Sequence, residues 1–305
     1  MKTAYIFPGQ GAQKIGMASD FYESELCKKA NEVCGFDLIS IMKDGPAESL
    51  TLTTYCQPAL FLHSALVLEA MEKHGISLDP QYFLGLSLGE YSAMYAAGVM
   101  SFEDILKALV VRGGAMQEAC ENEPGGMLTV IGLDDEIVVE SCESAREDSV
   151  LQAANFNAPG QIVLSGRSDA LERVQEILKE KGARRVMPLN VAGAFHSPLM
   201  QSAADKLKAC LSEMTLNPGA EKVVSNVTAR PHDSNSIVET LVNQITAPVR
   251  WTSSIQWLAE EQNIDTFVEL GTGKVLSGLV KRIASNVDRK SADGAQDIPD
   301  LVVAD

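Results

Sequence analysis

The chain has 305 residues and is 46% hydrophobic with a mean hydropathy of +0.02, which fits one large domain, or a large one carrying a smaller insert, around a sizeable core. Its 25 basic and 41 acidic residues give a net charge of −16, which excludes nucleic acid and anionic membrane as partners unless basic residues cluster locally. Six scattered cysteines (Cys27, Cys34, Cys56, Cys120, Cys142, Cys210) show neither C-x-x-C nor metal-ligand spacing, so free thiols in a reducing cytoplasm are expected.

Residues 4–7 are a short apolar strand that stops at Pro8-Gly9, too short a run for a signal peptide. Gln10-Gly11-Ala12-Gln13 is either a plain turn or a tight loop presenting backbone N–H groups, and no G-K-[ST] follows to make it a phosphate loop. Helices are expected over 24–33 and 57–73, the second with an apolar set that includes Leu60, Leu62 and Leu66 and with His63 packed or partly exposed among them. His74 closes that helix beside Gly75, where a histidine compensates the dipole. Nowhere does an apolar run approach the length of a membrane span.

Asp79-Pro80 breaks the chain, and Tyr82-Phe83-Leu84 leads into Gly85-Leu86-Ser87-Leu88-Gly89 and a helical stretch over 90–97. Apolar strand, G-x-S-x-G, then helix is the nucleophile-elbow pattern. The serine sits on a strained turn with its hydroxyl exposed, the flanking glycines let backbone approach backbone, and the helix start turns N–H groups toward the serine. The Leu88 N–H is then placed to hold an oxyanion. The competing reading is a glycine-rich turn around an ordinary serine. A helix capped by Ser101 follows and carries Arg112 beside Gly113-Gly114; two glycines inside a helix suggest close packing or room for a ligand, although a surface arginine is the commoner case.

Glu123-Pro124-Gly125-Gly126 reads as a linker. After it, strand 127–131, helix 134–146, strand 150–154, loop 155–160, strand 161–165, helix 168–181 and strand 185–189 give a β-α-β-β-α-β, ferredoxin-like order. Such a unit, inserted in a larger chain, makes a second wall for a cleft. His196 follows in the non-periodic Gly193-Ala194-Phe195-His196-Ser197-Pro198, just before a helix over 198–211, while His232 in a polar turn reads as solvent-exposed. The last third resumes α/β alternation: strand 222–225, helices 236–245 and 251–261, strand 266–270 and helix 275–284. Residues 286–305 are polar and acidic and read as a flexible tail.

The fold expected is therefore α/β: a large α/β-hydrolase-like subdomain from 1–124 and 196–285 that carries the elbow, an inserted ferredoxin-like small subdomain at 125–195, and the tail. Ser87 and His196 pair as nucleophile and base, but no motif singles out the acid that an α/β-hydrolase places between them. The residues alone reach serine acyl transfer with an unassigned third partner.

The chain resembles the malonyl-CoA:acyl-carrier-protein transacylases. The resemblance rests on Phe7-Pro8-Gly9-Gln10-Gly11-Ala12-Gln13, on Gly85-Leu86-Ser87-Leu88-Gly89-Glu90-Tyr91-Ser92-Ala93, on Arg112-Gly113, and on the segments 155–166, 193–200 and 268–281, in the family's order along nearly the whole chain. It implies Ser87 as the acylated nucleophile, His196 as its base, and the N–H groups of Gln10 and Leu88 as an oxyanion hole. It implies that the main-chain carbonyl of Gln244 orients His196, and that Arg112 pairs with the malonyl carboxylate, as a planar fork suits. Phe195 matches the malonyl-selecting form of its motif, and Asn155 and Gln57 fall among the substrate-binding positions. Where the family usually has proline after Gly271, this chain has Thr272.

The implied reaction is ping-pong transfer of malonyl from malonyl-CoA to the phosphopantetheine thiol of acyl carrier protein for fatty acid biosynthesis, with neither cofactor nor metal. The carrier is acidic in this family, so a local basic patch is expected, with candidates Lys181, Arg184, Arg185, Lys274, Lys281 and Arg282. A cytoplasmic monomer is the default. A trans-acting malonyltransferase of a polyketide synthase would share every one of these residues. A serine esterase would not need Arg112, and a silent binding module would not need Ser87, His196 and Arg112 together.

Overall fold

The computed structural model describes residues 2–302. Among the described residues eight strands form two four-stranded sheets: β1 (Thr3–Phe7), β2 (Pro80–Gly85), β7 (Thr266–Leu270) and β8 (Asp288–Ala292) in one, and β3 (Gly126–Ile131), β4 (Leu151–Ala158), β5 (Gln161–Gly166) and β6 (Arg185–Pro188) in the other. The first sheet has the order β2-β1-β7-β8 and is parallel throughout; the second has the order β4-β5-β3-β6 and is antiparallel. β1 is buried at all five positions, as a central parallel strand covered on both faces must be.

Helices cover the parallel sheet. Thr53–Lys73 and Phe102–Asn122, each of 21 residues, are its longest and pack on each other. Gly113 is what allows the contact: a Cβ there would stand 2.5 Å from the Thr53 carbonyl oxygen, and the Thr53 hydroxyl donates to the Gly113 carbonyl at 2.8 Å. The antiparallel sheet carries helices Asp135–Arg146 and Ser168–Glu180 over its own apolar cluster, in which Val130, Ile162, Leu164, Val174 and Leu178 are buried. No helix among the described residues is long and apolar enough to cross a membrane.

Several elements differ from expectation. The segment read as a flexible tail, 286–305, contains β8, which pairs in parallel with β7 over its full length, followed by short 3-10 turns that bury Ile298 and Leu301. Asp-Arg-Lys-Ser-Ala has no apolar alternation because β8 is an edge strand made by its backbone ladder, with Asp288 exposed and Arg289 and Lys290 half-buried. Residues 303–305 lie outside the described ones. The loop expected at 155–160 is instead the continuation of β4 to Ala158, with register shifts on either side of the Asn155–Phe156 pair. There β4 turns to the chain at Val249, whose N–H donates to the Ala154 carbonyl while the Phe156 N–H donates back to Val249. The strand expected over 222–225 reduces to single bridges from Val223 to Phe83 and from Val224 to Pro231. Short helices Leu38–Asp44 and Ala47–Thr51 carried no clear period and were not expected.

Candidate active site

Ser87 lies between β2 and helix Gly89–Ala96 with φ at +55°, in the left-handed region that costs a non-glycine residue energy. The flanking glycines follow from the same turn. A Cβ on Gly85 would meet the Gly89 carbonyl carbon at 2.0 Å, and one on Gly89 would meet the Phe7 carbonyl oxygen at 2.3 Å. The strain is held by hydrogen bonds. The Ser87 N–H donates to Asn226 Oδ1 at 2.7 Å, and Asn226 Nδ2 donates to the Gly85 carbonyl at 2.8 Å, so one side chain clamps both limbs of the turn.

Ser87 Oγ stands 2.8 Å from His196 Nε2. His196 Nδ1 lies 2.7 Å from the Gln244 carbonyl oxygen, which only accepts, so Nδ1 carries the ring proton and Nε2 faces the serine hydroxyl as an acceptor. His196 also has a positive φ, +54°, and Gln152 Nε2 bridges its carbonyl at 2.6 Å to that of Thr246 at 3.0 Å, tying the histidine loop to the Gln244 segment. Burial, then the Arg112 charge, pulls the imidazole pKa down to about 4, partly opposed by the bond to Gln244. The ring is neutral at ordinary pH.

Arg112 is 1% exposed. Its guanidinium donates from Nη1 to Gln57 Oε1 at 2.7 Å and from Nη2 to Gln244 Oε1 at 2.9 Å and Ser87 Oγ at 3.0 Å, and it lies over the Tyr91 ring with 5.6 Å to the centroid. Among the described residues its Nε has no partner. A buried arginine whose hydrogen bonds all go to neutral groups is suited to receive an anion.

These groups open on one cavity of about 140 Å³. Gln10, Gln57, Ser87, Leu88, Arg112, Asn155, Phe195 and His196 all line it; Gln244 stands behind them, joined to Arg112, His196 and Ser87. Among the described residues neither the Gln10 nor the Leu88 N–H has a protein acceptor, as an oxyanion donor pair requires. The wall opposite the elbow comes from the antiparallel sheet and the chain after it, through Met127, Val163, Leu189 and Val191. The six basic residues expected to meet a carrier protein are exposed and line no part of this cavity. Arg282 is engaged, donating to Gln161 Oε1 and, at 3.1 Å, to the Pro159 carbonyl, and so links helix Val275–Ile283 to the β4–β5 turn.

Sequence reasoning missed Asn226 and Gln152, which sit in a polar turn and on a half-buried strand with no pattern to mark them. It also misread His232, which is buried with Nε2 2.6 Å from Glu90 Oε1; a polar neighbourhood in sequence hid a buried partner in space. His63 is fully buried, with Nε2 2.7 Å from the Asp293 carbonyl oxygen.

The chain is similar to known proteins along nearly its whole length. Residues 4–303 match the model of the acyl transferase domain. A malonyl CoA-acyl carrier protein transacylase of Bacillus subtilis is 43% identical over 289 residues, covering 92% of this chain and 90% of that one, and another from Haemophilus influenzae is 38% identical over 298 residues, covering 96% and 95%. The crystal structure of the acyl-carrier-protein S-malonyltransferase of Bartonella henselae superposes with a TM-score of 0.95 at 38% identity, covering 99% of this chain and 98% of that one. A malonyl-transacylase in complex with a type II PKS acyl carrier protein superposes with a TM-score of 0.93 at 35% identity over 98% of each chain. With one matched model running almost end to end and relatives this similar over nearly their full length, the chain belongs to the acyl transferase domain family.

Proposed function

We infer that this acyltransferase moves the malonyl group from malonyl-CoA to the phosphopantetheine thiol of acyl carrier protein through a malonyl-serine ester. The observation that carries the reading is Arg112, a buried guanidinium whose Nη2 lies 3.0 Å from the nucleophile's oxygen. Neutral acyl groups have no use for it, whereas the free carboxylate of a malonyl group does, so an esterase reading leaves the costliest group of the site unexplained.

The acyl donor's carboxylate takes Arg112, drawing on the unused Nε–H and releasing the bond to Ser87 Oγ. Ser87 Oγ attacks the thioester carbonyl as its proton passes to His196 Nε2, and the N–H groups of Gln10 and Leu88 receive the oxyanion. Collapse breaks the C–S bond, and His196 returns the proton to the CoA thiolate. The carrier's thiol then gives its proton to His196 and attacks the ester carbonyl, and Ser87 leaves protonated. Phe195 and the apolar opposite wall restrict the α-carbon and shield the ester from water.

The 1–124 and 196–285 segments act in this reading as an α/β-hydrolase-like unit, extended by β8, and 125–195 as a ferredoxin-like wall; the strand order β4-β5-β3-β6 with two helices supports the latter. A cytoplasmic monomer fits the free thiols and the lack of any interface stretch in the sequence. Carrier docking falls to Lys181, Arg184, Arg185, Lys274 and Lys281, with Arg282 shared between docking and its bond to the β4–β5 turn. Supply of fatty acid biosynthesis and of a polyketide synthase need the same site, and the relative in complex with a type II PKS carrier favours keeping the second beside the first.

The test is discharge of the isolated malonyl-enzyme. Holo carrier protein should take the malonyl group onto its thiol and free the enzyme far faster than water does. Release of malonate at the same rate with and without carrier would refute the transfer.

A further inference from the structure

Glu90 follows the second elbow glycine, is 0% exposed, and has no step in the transfer. A carboxyl group buried to that degree must be met by hydrogen-bond partners, and three meet this one. Its Oε2 accepts from Gln244 Nε2 at 2.7 Å and from the Asn226 N–H at 3.0 Å, and its Oε1 lies 2.6 Å from His232 Nε2. The Gln244 NH₂ group donates to the Ser87 main-chain carbonyl as well, at 2.9 Å, so Glu90 Oε2 and that carbonyl oxygen together hold the NH₂ end of the amide toward them. The carbonyl end of that amide is thereby turned to Arg112 Nη2, 2.9 Å away. Reversed, the amide would set NH₂ against a guanidinium N–H, donor against donor, and push the arginine off its line to Ser87. Asn226 depends on Glu90 less, because its own carbonyl also accepts the Arg250 N–H at 2.8 Å.

We propose that Glu90 is a positioning residue for acyl-donor selection: through the amide polarity of Gln244 it aims Arg112 at the carboxylate of the incoming acyl group, with His232 holding Glu90 from the far side. The inference rests on the functional reading above, since it takes the anionic acyl group as the substrate.

The geometry separates two substitutions that look alike. In Glu90→Gln the amide oxygen takes the Oε2 place and keeps both N–H bonds, while its NH₂ faces His232. The His232 Nδ1 has no partner among the described residues and can carry the ring proton, which leaves Nε2 to accept. Glu90→Asp keeps the carboxyl group but withdraws its oxygens by about 1.5 Å, one carbon–carbon bond, and leaves the Ser87 carbonyl as the one remaining acceptor for the Gln244 NH₂ group among the described residues, which loosens the amide.

Rates of Ser87 acylation by malonyl-CoA and by acetyl-CoA, as kcat/KM, are to be measured for the wild type, Glu90→Gln, Glu90→Asp and Glu90→Ala, with thermal unfolding of each. The malonyl-to-acetyl ratio should fall about tenfold in Glu90→Asp and Glu90→Ala, the worth of a misdirected charge-assisted bond, and stay within about threefold of wild type in Glu90→Gln. Glu90→Asp keeps the charge and decides the matter if Glu90→Ala does not fold. An equal fall for both thioesters in Glu90→Asp, an unchanged ratio there, or a ratio in Glu90→Gln as low as in Glu90→Asp overturns the proposal. A wild-type chain without preference for malonyl-CoA would instead defeat the functional reading itself.

Discussion

In the proposed transfer His196 has to be neutral to take a proton from Ser87, and its surroundings keep it so. Burial and the adjacent Arg112 charge hold its pKa at about 4, below the ordinary 6.5. The base is therefore competent at neutral pH and is lost only as pH falls through the depressed value. Acylation by malonyl-CoA, as kcat/KM, should stay level from about pH 8 down to about pH 5; a break near 6.5 would contradict this. Nuclear magnetic resonance titration of the imidazole should show its pKa move upward in Arg112→Ala, because the second cause of the depression has gone. In the proposed transfer a docked carboxylate does the same by neutralising Arg112, so the substrate strengthens the base that takes the Ser87 proton. Ser87, His196 and their motifs were legible in the sequence; the orienting carbonyl was reached through family resemblance, because a main-chain oxygen leaves no mark on residue identity.

At the scale of elements, the elbow is a close approach of three backbones: β1, β2 and the helix start. Gly89 is pressed against the Phe7 carbonyl, whereas Gly114, in the middle of helix Phe102–Asn122, has open space where its Cβ would be. Gly89→Ala should then cost about 1–3 kcal/mol through overpacking and suppress acylation. Gly114→Ala should raise stability by up to about 1 kcal/mol through helix propensity and leave acylation intact. Thermal or denaturant unfolding of the two variants checks the pair, and similar effects in both would contradict the packing argument. The adjacent Gly113-Gly114 therefore look alike in sequence and differ in kind: the first lets a helix pass Thr53, and the second has no contact to explain it. β8 was illegible for a related reason, since an edge strand is specified by pairing with β7 and not by its own apolar alternation. The two interior helices of the antiparallel sheet, whose apolar faces repeat at the helical period, were read from sequence to within a residue or two.

On the scale of the whole molecule, the cavity exists because two sheets meet. The parallel sheet brings Ser87, and the helices on it bring Arg112 and Gln57; the antiparallel sheet and the chain leaving it supply the apolar wall and His196. Neither unit alone encloses an acyl group. Position in space, not in sequence, makes Asn226, Gln152, Glu90 and His232 part of the site. The central claim is that Ser87 is acylated by an anionic acyl donor that Arg112 selects, and peptide mass spectrometry after mixing with malonyl-CoA, beside acetyl-CoA and an Arg112→Ala variant, tests it most directly. A malonyl adduct on the Ser87 peptide, far weaker with acetyl-CoA and lost in Arg112→Ala, is the predicted result; no adduct on Ser87, or one indifferent to Arg112 and to the carboxylate, would contradict the account.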